Sequence, residues 1–228
     1  MRVLALASQK GGSGKTMLAG HLAVQAEVAG AGPVVLIDID PHGTLAGWWN
    51  VRDEDTPAFA QTTMERLPAD IEMLRVQGFR LAIVDTPPLT SPPVAGVVAL
   101  AELVVVPTRP YGDELRAAAG TVDLCARAGK PLLFVVNGVT PGEAPSTESV
   151  MQLARHGPVA PHPIEQAPGL AEAMLAGSTL IEDRPAHPAA AQIADLWTYI
   201  AGRIEKNFRR TVFAVPRAAG GGFGRRGL

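Results

Sequence analysis

The segment Ser8-Gln9-Lys10-Gly11-Gly12-Ser13-Gly14-Lys15-Thr16 has the composition of a phosphate cradle. Glycines at a strand-to-helix turn let backbone N–H groups converge on phosphate oxygens, and the following helix points its positive end at them. Gly11, Gly12, Ser13 and Gly14 would supply that backbone, with Met17 in the first helical turn beside it. Lys15 would reach the terminal phosphates of a nucleotide, and the Thr16 hydroxyl would bind Mg²⁺. The ordinary spacing of such loops requires glycine at position 9, where this chain has Gln9. What it has instead is a second lysine, Lys10, beside paired glycines.

Two acid clusters belong to the same chemistry. Asp38-Ile39-Asp40-Pro41-His42-Gly43 ends one apolar run, and Asp85-Thr86-Pro87-Pro88 ends another. In an open parallel sheet, ligands bind beyond the carboxyl ends of the strands, where both clusters would fall. Asp85 is placed to hold Mg²⁺ through water. Asp40 is the candidate for orienting an attacking water, and Asp38 for positioning metal-bound water and the loop. Thr16, Asp38, Asp40 and Asp85 are thus the candidate metal set. Lys15 and Asp40 are candidate catalytic residues.

The elements that must position these groups follow from hydropathy. Val3–Ala7, Val34–Ile37, Leu81–Val84, Leu103–Val106 and Leu132–Val136 are near-continuous apolar runs rich in β-branched residues. That is the pattern of strands buried on both faces of a parallel sheet. Helix patterns lie between them at 15–30, 63–77, 93–101 and 113–128, with others near 168–176 and 187–207. Gly30, Gly78 and Gly129 stand where left-handed cap residues are wanted. Alternation of this kind predicts an α/β fold: a doubly wound, mostly parallel sheet with helices on both faces. One apolar helix face, Ile193, Leu196, Trp197, Ile200, Ile204 and Phe208, closes the domain, with its last turn expected near Asn207. Residues 1–207 are read as that domain. Residues 208–228, with Pro216 and a glycine run, are read as a basic mobile tail.

Composition limits the alternatives. The 228 residues are 47% hydrophobic and carry a net charge of only -2, which excludes disorder over most of the chain. A single cysteine, Cys125, excludes a disulfide framework and a multi-cysteine metal site supplied by this chain alone. No stretch approaches the ~20 apolar residues of a membrane span, so a cytoplasmic protein is expected. Charge is uneven: residues 203–228 carry +6 and the remainder -8. A basic end on an acidic body points to an anionic partner, or to a tail that improves solubility.

At these residues the chain resembles the ParA/MinD group of deviant-Walker P-loop ATPases, and within it the short ParF-like partition ATPases. The carriers are Gln-Lys-Gly-Gly-Ser-Gly-Lys-Thr at 9–16, Asp-Ile-Asp-Pro-His-Gly-Thr at 38–44 with Trp48-Trp49, and Ile-Val-Asp-Thr-Pro-Pro at 83–88. Weaker carriers are 105–110 and 174–182, and the whole resemblance runs from Met1 to about Asn207. It implies a MinD-like fold, ATP and ADP as ligands with Mg²⁺, slow basal ATP hydrolysis, and a homodimer closed by ATP. It makes Lys10 the catalytic lysine that crosses to the partner subunit's phosphates. It makes Asn137 an adenine-reading residue and puts a base-covering loop near Pro168.

The resemblance further implies non-specific DNA binding, a nucleoid-associated location, and a small ParB- or ParG-like adaptor with a disordered arm that stimulates hydrolysis. Departures are His42, where the family usually has glutamine, and Ala167, where ParF-like chains have arginine. The chain starts at its first strand without a helix-turn-helix, so operator-specific DNA binding is not expected. Two other readings compete. A MinD-like membrane regulator would use Phe208, Val212, Phe213 and Val215 as an anchor, interrupted by Pro216. A metabolic P-loop enzyme would need either more cysteine or no role for Lys10.

Overall fold

A computed structural model describes residues 1–88, 94–110 and 112–212. Seven strands form one sheet: β1 (Arg2–Leu6), β2 (Val34–Asp38), β3 (Ala58–Ala60), β4 (Leu81–Asp85), β5 (Leu103–Thr108), β6 (Leu132–Val139) and β7 (Ile164–Glu165). Their order is β3-β2-β4-β1-β5-β6-β7, and every pairing is parallel. The sheet is therefore wholly rather than mostly parallel. Because side chains alternate across a strand, Leu4 and Leu6 of β1 enter one core layer while Val3 and Ala5 enter the other. Both layers are covered, so each run must be apolar at every position.

The helices are α1 (Lys15–Val28), α2 (Thr44–Asn50), α3 (Leu67–Val76), α4 (Val94–Leu100), α5 (Gly112–Ala128), α6 (Thr147–Ala154), α7 (Pro168–Leu175), α8 (Leu180–Asp183) and α9 (Pro188–Val212). Gly30, Gly78 and Gly129 take positive φ just past α1, α3 and α5, as their positions lead one to expect. The helix expected from 63 begins at Leu67, because Thr63 O accepts from both Arg66 N and Leu67 N in a preceding turn. The last helix extends past Asn207 to Val212. Its face of Ile193, Leu196, Trp197, Ile200 and Ile204 is buried. Residues 213–228, most of the expected tail, lie outside the described residues. Among the described residues, no helix is long and apolar enough to cross a membrane.

One polar group sits in the core that α1 shares with α8. His21 is fully buried; its Nδ1–H donates to Met17 O at 2.9 Å, and its Nε2 accepts from Leu180 N at 3.2 Å. That arrangement requires the neutral ring. Burial depresses its pKa from 6.5 to about 4. The unfolded chain therefore takes up the proton first as pH falls. Stability from this group is complete above pH 6.5 and is lost progressively towards pH 4, by roughly 3 kcal/mol in all. The melting temperature should fall by several degrees between pH 7.5 and pH 5. His21→Gln, which cannot titrate, should show a shallower fall; an equal fall in both proteins would contradict this assignment.

Candidate functional site

β1 lies at the centre of the sheet between β4 and β5, and the chain leaves its carboxyl end directly into residues 7–14. This is the switch point at which open parallel sheets bind ligands. Gly12 and Gly14 take φ of 75° and 97°, and Gly14 caps α1 in the left-handed conformation. The loop is held from beneath by Asn137 at the end of β6, whose Nδ2 donates to Ser13 O at 2.8 Å. It is held from the side by Arg109, past the end of β5, whose Nε and Nη2 both donate to Gly12 O at 3.2 Å. These bonds tie the Gly12 and Ser13 carbonyls to the ends of β5 and β6.

The charged residues gather around it. Lys15 is 7% exposed, and its pKa is lowered by burial despite the carboxylates of Asp85 and Asp40 nearby. Thr16 Oγ1 donates to Asp85 Oδ2 at 2.5 Å. Asp38 and Asp85 are register partners across β2 and β4. Burial raises the pKa of Asp85 to about 7, and burial also raises that of Asp38, whose Oδ1 and Oδ2 accept from Asp40 N and Ala46 N. Asp40 behaves oppositely: its partial burial is outweighed by the N–H and imidazole of His42, at 3.0 and 2.8 Å, so its pKa is lowered. The strand-end carboxyls are thus shifted in opposite directions, Asp40 down and both Asp38 and Asp85 up.

A cleft of about 760 Å³ opens over these groups, lined by Gly11, Gly12, Gly14, Lys15, Thr16, Met17, Asp40 and His42 on its polar side. The other side is Trp48 and Val51 from α2 and its end, and Ala171, Met174 and Leu175 from α7. The residues present fit a magnesium nucleotide. Ser13 Oγ and Asp85 Oδ1 are buried without a hydrogen-bond partner, so both need a ligand atom, water or cation. Among the described residues, no three His, Cys, Asp or Glu side chains form a metal group.

Lys15, Thr16, Met17 and Asp40 line the cleft, Asp85 lies behind Thr16, and Asp38 is the register partner of Asp85. Lys10 is exposed at its outer rim. Asn137 lies under the loop, and Pro168 is the exposed first residue of α7, whose cleft-lining residues come one turn later and beyond. Sequence reasoning gave no role to Arg109 or to the apolar wall. Arg109 carried one usable signal: a cation just past a strand adjacent to the loop strand.

A doubly wound parallel sheet with a glycine loop, a buried lysine and two strand-end aspartates defines a P-loop nucleotide-binding protein. The chain belongs to the CobQ/CobB/MinD/ParA nucleotide binding domain family, matched over residues 4–181. These are the ParA/MinD-type ATPases, whose nucleotides are ATP and ADP with Mg²⁺. It is 43% identical over 125 residues to maintenance of carboxysome distribution protein A of Gloeobacter kilaueensis, a match covering 53% of this chain and 55% of that one. It is 29% identical over 248 residues to the chromosome-partitioning ATPase Soj of Thermus thermophilus, covering 90% of this chain and 98% of that one. In structure it is similar to the septum site-determining protein MinD of Pyrococcus horikoshii complexed with Mg-ADP. There the TM-score is 0.73 at 17% identity, over 90% of this chain and 98% of that one, which is a likeness of fold.

Proposed function

We propose that this protein is a partition or positioning ATPase that dimerises on ATP, binds DNA without sequence preference in that state, and releases its cargo when a partner protein stimulates hydrolysis. The observation that carries the reading is the division of labour between two lysines. Lys15 is buried beside Asp85 and Asp40, where it serves its own subunit's phosphates. Lys10, five residues earlier, is exposed, and its role is to serve the phosphates of a second copy. Relatives that distribute carboxysomes or partition chromosomes support cargo positioning as the common task.

Each residue then has a step. Gly11 to Gly14 orient backbone N–H groups on the phosphates, and Lys15 neutralises the terminal pair. The Thr16 hydroxyl, with Asp85 behind it, would hold Mg²⁺, which would supply charge neutralisation on the phosphates. Asp40, anionic and aimed by His42, orients the attacking water. Asp38 fixes the Asp40 backbone, Asn137 and the Pro168 region contact the base, and Met17 packs beside the loop.

Binding of a random-sequence duplex and of anionic vesicles, each with and without ATP, tests this proposal. Duplex affinity should rise with ATP, since a dimer presents two basic ends and the second contact becomes intramolecular. It should fall with salt at a slope of about -0.9 per phosphate contacted. A chain ending at Asn207 should bind the duplex more weakly. Vesicle binding without duplex binding, abolished by that truncation, would overturn the reading in favour of a membrane regulator.

A further inference from the structure

α2 hangs from the cleft by one end. Asp38 accepts from Ala46 N, and Gly47 N donates to Gly43 O, so the helix starts directly from the Asp38–Gly43 segment that carries Asp40. Its other end is fastened to a distant part of the chain. The Arg52 guanidinium, only 2% exposed, donates from Nη1 to Glu182 Oε2 and Gly177 O, both at 3.2 Å. From Nη2 it donates to Glu182 Oε1 at 2.7 Å and to Thr56 O at 2.8 Å. It also lies 4.6 Å over the Trp48 ring, whose Nε1–H donates to Ser178 O at 2.9 Å.

The receiving side is equally fixed. Glu182 Oε2 accepts from both Thr179 N and Thr179 Oγ1 at 2.8 Å, closing the capping box of α8. Gly177 has φ +80°, and a Cβ there would meet Val51 O at 2.4 Å, so the two backbones touch where only glycine fits. The turn they form follows α7 immediately, and α7 supplies Ala171, Met174 and Leu175 to the cleft, with Leu175 86% exposed. Planar two-pronged pairing of this kind fixes orientation as well as distance, which a lysine cannot reproduce.

We infer that Arg52 and Glu182 are positioning residues for hydrolysis: their buried fork makes α2 and the α7–α8 turn move as one body, so that Asp40 reaches its working position only when α7 closes on the nucleotide. The inference rests on the ATPase reading above. It assigns to α7 the regulation of that site. A group acting on α7 at Leu175, whether a second copy or a stimulating partner, then acts on Asp40 through the fork and α2.

Arg52→Lys and Glu182→Gln in the full chain test it, each keeping size and most of the packing. Three quantities are read: affinity for a fluorescent ATP analogue, turnover at saturating ATP with Mg²⁺, and hydrogen exchange of 44–56 and 170–183 with and without a non-hydrolysable analogue. In the wild type, nucleotide should slow exchange in both segments. In the variants, affinity should stay within about threefold while turnover falls about tenfold or more, as a displaced catalytic group produces. Nucleotide should then protect 170–183 without protecting 44–56. A purely structural fork would lower the melting temperature and leave turnover of the folded protein, and its nucleotide-dependent protection, unchanged; that result overturns the inference. A wild type that binds no ATP overturns the ATPase reading first, and the fork's role with it.

Discussion

Gly14→Ala should lose nucleotide affinity by about two orders of magnitude. The residue has φ +97°, and an added Cβ would lie 2.2 Å from Asn137 Nδ2, the atom that holds Ser13 O. A left-handed conformation costs an L-residue roughly 1–2 kcal/mol, and loss of the Asn137 bond adds about 1 kcal/mol. Together these make about 2–3 kcal/mol, or about 100-fold in binding. The loop's carbonyls would swing and its N–H groups would no longer converge. A fluorescent ATP analogue titrated against the variant gives the number. Gly14→Ala/Asn137→Ala should recover none of it, because the φ cost and the lost Asn137 bond both remain. Wild-type affinity in the single variant would mean that this loop does not grip the phosphates.

Asp40→Ala should leave ATP bound and stop its hydrolysis. Asp40 is the one of the three whose pKa is held below the usual carboxylate range, because His42 donates to it from both backbone and ring and outweighs its partial burial. Asp38 and Asp85 are buried and pushed the other way. Removing an oriented proton acceptor commonly lowers rate by 10²–10⁴-fold. The phosphate contacts of Lys15, Thr16 and the loop are untouched, so affinity should change by less than about threefold and dimers should accumulate. Single-turnover hydrolysis measures the loss. Retained turnover would reassign the water-orienting role away from Asp40.

The parts of this molecule that could be read in its sequence are those set by local chemistry. Five of the strands are continuous apolar runs because both sheet faces are covered, and the loop is legible because phosphate binding demands glycines beside a lysine and a hydroxyl. Asp38 and Asp85 end neighbouring strands as paired residues, and Asp40, two residues past β2, lines the cleft. What escaped was short or non-local. β3 is Ala58–Ala60 at the sheet edge, half-buried, and β7 is only Ile164–Glu165, so neither has a period to detect. α2 is seven residues, Thr44–Asn50, and its glycine-capped start resembles a loop. The Arg52–Glu182 fork joins residues 130 positions apart, and an arginine among Asp53, Glu54 and Asp55 looks like a solvated charge cluster. Only the fold shows that it is buried.

ATP-dependent joining of two copies through Lys10 is read most directly from mass in solution. Light scattering of the wild type with ATP and Mg²⁺ should give a dimer, and with ADP a monomer. Lys10→Ala should bind the nucleotide with little change, since Lys15 and the loop remain, yet stay monomeric with ATP. A Lys10→Ala protein that dimerises on ATP as the wild type does would contradict the account.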